Sequence, residues 1–295
     1  MNKKNFKSGF VNIVGNPNVG KSTLMNALLG HNLSIVTSKA QTTRHRILGI
    51  LNGNDFQIVF SDTPGILKPK YKLQESMLKS AVSVFDDADV IIMVTTTEDI
   101  VSDSDQLFSS VADCSVPKIV AVNKVDLSSQ SEVEAVLEQW RKRLPDAVVI
   151  PLSAKFNFNL TALLELILDN LPAGEPYYPE DHLSDRFERF FASEIIREKI
   201  LLNYRKEVPY SVEVEIESYS ESDDIINISA VIHVERDTQK GIIIGHRGTM
   251  LKKTGTMARI GLEDFLGKKV FLSLRVKVSE NWREKQRLLK QFGYQ

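Results

Sequence analysis

Four short stretches, in a fixed order along the chain, carry side chains that suit one kind of ligand. They are Gly15-Asn16-Pro17-Asn18-Val19-Gly20-Lys21-Ser22, Asp62-Thr63-Pro64-Gly65, Asn123-Lys124-Val125-Asp126 and Ser153-Ala154-Lys155. The first is a G-x-x-x-x-G-K-S loop. Backbone N–H groups of such a loop wrap phosphates, its lysine (Lys21) reaches the β- and γ-phosphates, and its serine (Ser22) ligates Mg²⁺. Thr23 follows on the helix that the loop opens, whose positive N-terminal end also favours phosphate. The third stretch selects the base. The Asp126 carboxylate only accepts hydrogen bonds, and guanine offers two adjacent donors, N1–H and the 2-amino group, where adenine offers none. The expected ligand is GTP or GDP. Ser153 and Ala154 are expected at guanine O6 through their backbone, with the Lys124 stem against the base.

The second stretch supplies the γ-phosphate end. Asp62 closes an apolar run and is expected to hold Mg²⁺ through a water, and the Gly65 N–H is placed to sense the γ-phosphate. A threonine from Lys39-Ala40-Gln41-Thr42-Thr43-Arg44 is needed to complete the metal shell in the GTP state; Thr43 is preferred and Thr42 is the alternative. Ras-type GTPases orient the attacking water with a glutamine directly after Asp-x-x-Gly. Here Ile66 stands in that place. A hydrocarbon side chain cannot orient water, so slow hydrolysis and a switch are expected rather than bulk turnover.

The elements that must position these residues can be read from apolar periodicity. Gly9–Val14 is a β-prone run into the phosphate loop, and Lys21–Leu29 reads as a helix stopped at Gly30. Residues 46–51 and 56–60 flank Asn52-Gly53-Asn54, a strong hairpin signal, and should pair antiparallel. Val90–Val94, Lys118–Val122 and Ala147–Pro151 are short buried strands of the parallel type, separated by amphipathic stretches such as Glu132–Lys142. The pattern is an α/β fold: a mostly parallel sheet with helices on both faces. A closing helix over Leu160–Leu171 would end this first domain, residues 1–172, and the segment 173–184, rich in proline, reads as a semi-rigid linker.

Beyond it the order changes to α+β. A helix is expected over Asp185–Leu202, strands over Ser211–Ser218 and Ile225–Val234, a short helix ending in Ile242-Ile243-Ile244, the loop Gly245-His246-Arg247-Gly248, a helix to Phe265, a strand over Val270–Val278, and a basic tail helix from about Asn281. This order, αββααβ plus a tail, spans 185–295. The G-x-x-G loop between two helices has the form of a KH loop, which clamps the backbone of single-stranded nucleic acid; glycines let the chain approach phosphates and Arg247 adds charge. Lys252 and Lys253 follow on the next helix. Trp282 reads as a packing anchor for the tail, with base stacking as the alternative, and His246 as a polar loop residue.

Charge supports the division. Residues 236–295 hold 14 basic and 5 acidic side chains, a net of +9, in a chain whose overall charge is −1. Such a segment points to a polyanion or, more blandly, to a solvated basic face. One cysteine, Cys114, excludes an internal disulfide and fits a reducing cytosol; the scattered histidines offer no metal spacing, no apolar run is long enough to span a membrane, and Met1–Ser8 is not expected to be a secretory signal.

Taken together, residues 15–22, Lys39–Arg46, 62–65, 123–126, 245–248 and Val278-Ser279-Glu280-Asn281-Trp282-Arg283-Glu284 make the chain resemble the Era family of bacterial GTPases over nearly its whole length. The resemblance implies a P-loop GTPase domain followed by a type II KH domain, slow GTP hydrolysis with Mg²⁺, binding near the 3′ end of small-subunit 16S ribosomal RNA, and a role in 30S subunit assembly. It implies a cytoplasmic monomer, with peripheral association at the inner membrane in some members. In some similar GTPases that lack the glutamine, an asparagine at the place of Asn18 ligates K⁺; the alternative is that Asn18 only caps the loop. Two departures stand out. Relatives often carry a glycine soon after Ser-Ala, where this chain has Phe156-Asn157-Phe158-Asn159. They also often carry an aspartate after the Val90–Val94 strand, where this chain has Thr95-Thr96-Thr97. A rival reading keeps the GTPase but has the second domain bind protein, as in a signalling switch.

Overall fold

The computed structural model describes residues 6–37, 39, 41–65, 69–99, 101 and 106–294. They form two units. The first holds Met1–Ser34, Thr43–Lys68 and Met77–Asp185; the second holds Ile35–Thr42, Pro69–Ser76 and Arg186–Gln295.

In chain order the first part contains β1 (Lys7–Val14), α1 (Lys21–Leu29), β2 (Ile47–Asn52), β3 (Phe56–Asp62), α2 (Lys72–Val82), β4 (Val90–Thr96), α3 (Gln106–Asp113), β5 (Lys118–Asn123), α4 (Gln130–Arg143), β6 (Ala147–Pro151) and α5 (Leu160–Asn170). One six-stranded sheet runs β2-β3-β1-β4-β5-β6. Only the β2–β3 hairpin is antiparallel; β1, β3, β4, β5 and β6 run parallel. The central strands are buried on both faces, which is why β4 reads as Val-Ile-Ile-Met-Val without alternation. The parallel strands therefore share one C-terminal edge, and there Val14, Asp62, Thr96 and Asn123 hand over to the loops that carry the motifs. Helix α4 is fixed by a capping box, Ser129 with Glu132, and docks Trp140 into the core beside Phe108.

The proline-containing stretch 173–184 lies along this sheet. Tyr177 and Tyr178 donate backbone N–H groups to Gln57 Oε1, Ile50 N donates to Leu183 O, and the Ser184 hydroxyl donates to Leu48 O at 2.5 Å. These bonds hold the chain against β2 and β3 as far as Ser184. The next helix therefore starts at Glu188, three residues later than periodicity predicts.

The second unit contains α6 (Glu188–Asn203), β7 (Glu213–Glu221), β8 (Ile225–Val234), α7 (Asp237–Ile244), α8 (Thr249–Leu266), β9 (Lys269–Val278) and α9 (Gln286–Gln291). The expected αββααβ order holds. The sheet runs β7-β8-β9, antiparallel and then parallel. Val208–Ser211 is a 3₁₀ turn, so β7 begins two residues after the expected strand start. Ile196, Ile200, Ile228, Ile232, Ala258 and Leu262 form the core between α6, α8 and one face of the sheet. The tail corrects the expected basic helix from Asn281. Asn281 takes φ 52°, Trp282–Glu284 is a 3₁₀ turn, and α9 is only six residues long. The cause is Trp282: it is wholly buried, donates its indole N–H to Ser211 O at 2.8 Å and meets Phe292 edge to face. Among the described residues no helix is long and apolar enough to cross a membrane.

Candidate nucleotide site and nucleic-acid groove

The phosphate loop leaves β1 and ends on α1. Lys21 is buried, and its ammonium donates to the carbonyls of Gly15 and Asn16 at 2.9 Å each. Burial pushes its pKa down to about 8, against the carboxylates of Asp62 and Asp99. The neighbouring loops close on this one. Asn123 Nδ2 donates to Val19 O at 2.9 Å, and Lys124 Nζ donates to Asn18 O at 2.6 Å. Asn123 Oδ1 accepts from Lys124 N and Ala154 N, tying the third motif to the fourth. The Ser153 hydroxyl donates to Asp126 Oδ1 at 2.5 Å, which fixes the carboxylate expected to read guanine. Asn157 takes φ 56°; asparagine tolerates that region better than most residues. Lys155 places its ammonium 5.1 Å from the Phe156 ring.

Three hydroxyl and carboxylate oxygens converge at the other end. Ser22 Oγ donates to Asp62 Oδ2 at 2.6 Å and lies 3.0 Å from Thr43 Oγ1, which itself donates to Asp62 Oδ2 at 3.3 Å. Thr42 is not part of this group: its hydroxyl donates to Lys39 O at 2.6 Å and meets Thr37 at 2.7 Å. Burial pushes the Asp62 carboxyl above the ordinary carboxylate range, against the Ser22 hydroxyl and the Lys21 ammonium. Asp62 Oδ1 is buried without a hydrogen bond of normal geometry among the described residues. So is Ser34 Oγ, whose dipole still favours the charged carboxylate. A hard-oxygen cluster with an unsatisfied buried carboxylate oxygen fits a Mg²⁺ ion. Thr63 donates to Ile13 O at 3.0 Å, fixing the turn that presents Pro64 and Gly65. A Cβ on Gly65 would meet Pro17 Cγ at 2.8 Å and Pro17 N at 2.9 Å, so only glycine lets these two loops touch. Ile66 lies outside the described residues. Thr23 is half-buried on α1, and Asn18 is exposed with φ 65°.

In the second unit the Gly245–Gly248 loop joins α7 to α8. Gly245 takes φ 71°, and a Cβ there would strike Met250 at 2.7 Å, so the sharp exit from α7 requires glycine. Arg247 takes φ 50°, which turns the loop; His246 and Arg247 are exposed. The loop opens into a groove of about 390 Å³ lined by Gly248, Leu251, Lys252, Gly255, Arg259 and Leu274, with Thr256 and Leu272 completing the wall. Lys253 is exposed on the same helix outside the lining. Sequence reasoning missed Gly255, Arg259, Leu272 and Leu274. The signal was present: residues 248, 252, 255 and 259 share one face of a helix, and 272 and 274 one face of a strand.

Comparison with known proteins gives a consistent picture. A family model described as "50S ribosome-binding GTPase" matches residues 10–124, and a KH domain model matches residues 207–283. GTPase Era of Geotalea daltonii is 44% identical over 297 residues, covering 100% of both chains. GTPase Era of Clostridium kluyveri is 45% identical over 290 residues, covering 98% of this chain and 99% of its own. Among solved structures, a variant of Aquifex aeolicus Era bound to GDP.AlF4- has a TM-score of 0.92 at 40% identity, covering 98% of this chain and 99% of that one. Era in complex with MgGDPNP and nucleotides 1506–1542 of 16S ribosomal RNA has a TM-score of 0.92 at 39% identity, with the same coverage.

Proposed function

The chain belongs to the Era family of GTPases, and from that premise we propose that it is a GTP-hydrolysing switch that grips 16S ribosomal RNA near its 3′ end and assists assembly of the 30S subunit. The observation that carries the nucleotide half is the convergence of Ser22, Thr43 and Asp62 beside the buried Lys21. The second half draws its support from the G-x-x-G loop and its groove, and from the relative solved with a 16S fragment.

In this reading residues 15–22 wrap the phosphates with backbone N–H groups. The Lys21 ammonium exchanges the Gly15 and Asn16 carbonyls for the β- and γ-phosphates. Ser22 and Thr43 would ligate Mg²⁺, and Asp62 would hold it through water; the ion would offset charge on the phosphates. The Gly65 N–H faces the γ-phosphate. Asp126, oriented by Ser153, accepts both donors of guanine. Gly245–Gly248 clamps the RNA backbone, with Arg247 and Lys252 supplying charge and Leu251, Leu272 and Leu274 an apolar wall for bases. Lys253 extends the positive surface. The working place we propose is the cytoplasm, with the protein a monomer; cell fractionation tests for the peripheral inner-membrane contact that some relatives imply.

The deciding experiment is a binding titration of the full chain with a 16S 3′-end fragment in the presence of Mg²⁺ and GDPNP, set against an unrelated RNA of equal length. Preference for the 16S fragment is expected. Equal binding of both, or of neither, would remove the RNA half of the reading.

A further inference from the structure

Strand β4 ends at Thr96 and is soon followed by Asp99, whose carboxylate returns to the phosphate loop. Asp99 Oδ1 accepts from Asn16 Nδ2 at 2.9 Å, and Oδ2 accepts from the Thr95 hydroxyl at 3.2 Å. Its own N–H donates to Thr96 O at 3.3 Å. The last two bonds close a local turn and would suffice for a structural role. The first does not belong to that turn, since it reaches across 83 residues of sequence to the second residue of the loop.

Asn16 is a sensitive place to hold. Its carbonyl is one of the two that receive the Lys21 ammonium. The next residue, Pro17, is the surface against which Gly65 packs. A bond that fixes the Asn16 side chain thus fixes the stretch of loop lying between Lys21 and Gly65, the two groups assigned to the γ-phosphate. The remainder of the loop is anchored separately, by Asn123 on Val19 and Lys124 on Asn18. A carboxylate acceptor makes the stronger kind of hydrogen bond to an amide N–H, and its second oxygen is held by Thr95, so it is itself preorganised.

We propose that Asp99 is a positioning residue for GTP: acting through Asn16, it holds the γ-phosphate end of the loop and favours the triphosphate over the diphosphate. The proposal rests on the GTP reading of the same site.

The test measures dissociation constants for GDPNP and GDP, with Mg²⁺, in the full-length wild type, Asp99→Ala, Asp99→Asn, Asn16→Ala and the double variant Asn16→Ala/Asp99→Ala. Asp99→Ala should weaken GDPNP about tenfold, the effect of losing one charge-assisted hydrogen bond, and GDP less than about twofold. Asn16→Ala should do the same from the other side, and the double variant should be no worse than either single, because both remove one bond. Asp99→Asn retains an acceptor oxygen without the charge and should recover part of the wild-type preference. Equal losses for the two nucleotides, or additive losses in the double variant, would overturn the proposal. Wild-type protein that bound neither nucleotide would instead overturn the GTP reading, and this proposal with it.

Discussion

In the proposed reading Asp126 reads the base, and Ser153 holds it in place. Ser153 fixes one carboxylate oxygen at 2.5 Å, so Asp126→Asn exchanges an acceptor for a donor in an already oriented group. GTP affinity should fall by at least about 2 kcal/mol, because a charged hydrogen bond is lost and a mismatch gained. Xanthosine triphosphate, with a 2-keto group, should then bind better than GTP; competition titration of the two nucleotides checks it. Asn18 gives a second test at this scale. If a K⁺ ion sits beside it, wild-type hydrolysis runs faster in potassium than in sodium at equal ionic strength, and Asn18→Ala removes the difference. Equal wild-type rates would leave Asn18 as a loop cap. The sequence favours Thr43 but keeps Thr42 as the alternative, since adjacent threonines share every local property. Tertiary contacts separate them: the Thr42 hydroxyl is committed to Lys39 O, and only Thr43 reaches Ser22 and Asp62.

At the scale of elements, α8 makes the groove by leaving a gap. Gly255 carries no side chain where Leu251 and Arg259 flank it, and an added Cβ there would meet only Leu274 Cδ1, at 3.3 Å. Gly255→Leu should therefore fill the groove, lowering RNA affinity while the helix survives, since glycine is the poorer helix former by about 1 kcal/mol. Filter binding alongside far-UV circular dichroism separates the two effects. Replacing His246 and Arg247 together by aspartate should abolish RNA binding and leave GTP binding intact. The sheet carries a pH dependence on its other face. His233 is buried between Ser279 and Glu215 with Phe292 against its ring. Burial lowers its pKa below the ordinary histidine value; Glu215 opposes this, and Lys277 and Arg275 add to it. The unfolded chain then takes up a proton that the native one resists. Stability should accordingly fall as pH drops below about 6.5, and His233→Asn should flatten that part of the melting-temperature profile. Helices α1 and α8 and strand β8 were legible from periodicity and glycine stops. The tail was not, because a buried Trp282 outweighs the helix-forming composition around it.

At the scale of the molecule, charge and topology act together. The residues that line the groove, Lys252 and Arg259 among them, all belong to the +9 segment 236–295, so RNA affinity should decline steeply and log-linearly with salt as phosphate contacts release counterions. The second unit is also built around a buried ion pair. Arg197 donates to Glu194 through Nε at 2.7 Å and Nη2 at 2.5 Å, and Nη2 also donates to Thr42 O at 2.5 Å. Arg197→Ala would break this buried pair and remove the donor to Thr42 O, at a cost of about 3 kcal/mol, read as a lower melting temperature. Domain order along the chain was legible from the linker prolines and the change in element pattern. The membership of Ile35–Thr42 and Pro69–Ser76 in the second unit was not, because short polar segments carry no signal of the distant residues they bond.

That membership bears on how the protein can be dissected. A gene cut between Asp185 and Arg186 divides the polypeptide cleanly but not the second unit, which would lose Ile35–Thr42 and Pro69–Ser76 to the other fragment. In the upstream fragment, Lys39 would no longer find the carbonyls of Leu201 and Tyr204, and Thr42 O would lose its guanidinium. In the downstream fragment, Arg283 would lose the Tyr71 ring over which it lies. Fragment studies of either half therefore start from an amputated unit. Mixing the separately expressed halves should restore hydrogen-exchange protection at 35–37, 39, 41 and 42, whereas either half alone should leave its orphaned partners open to solvent.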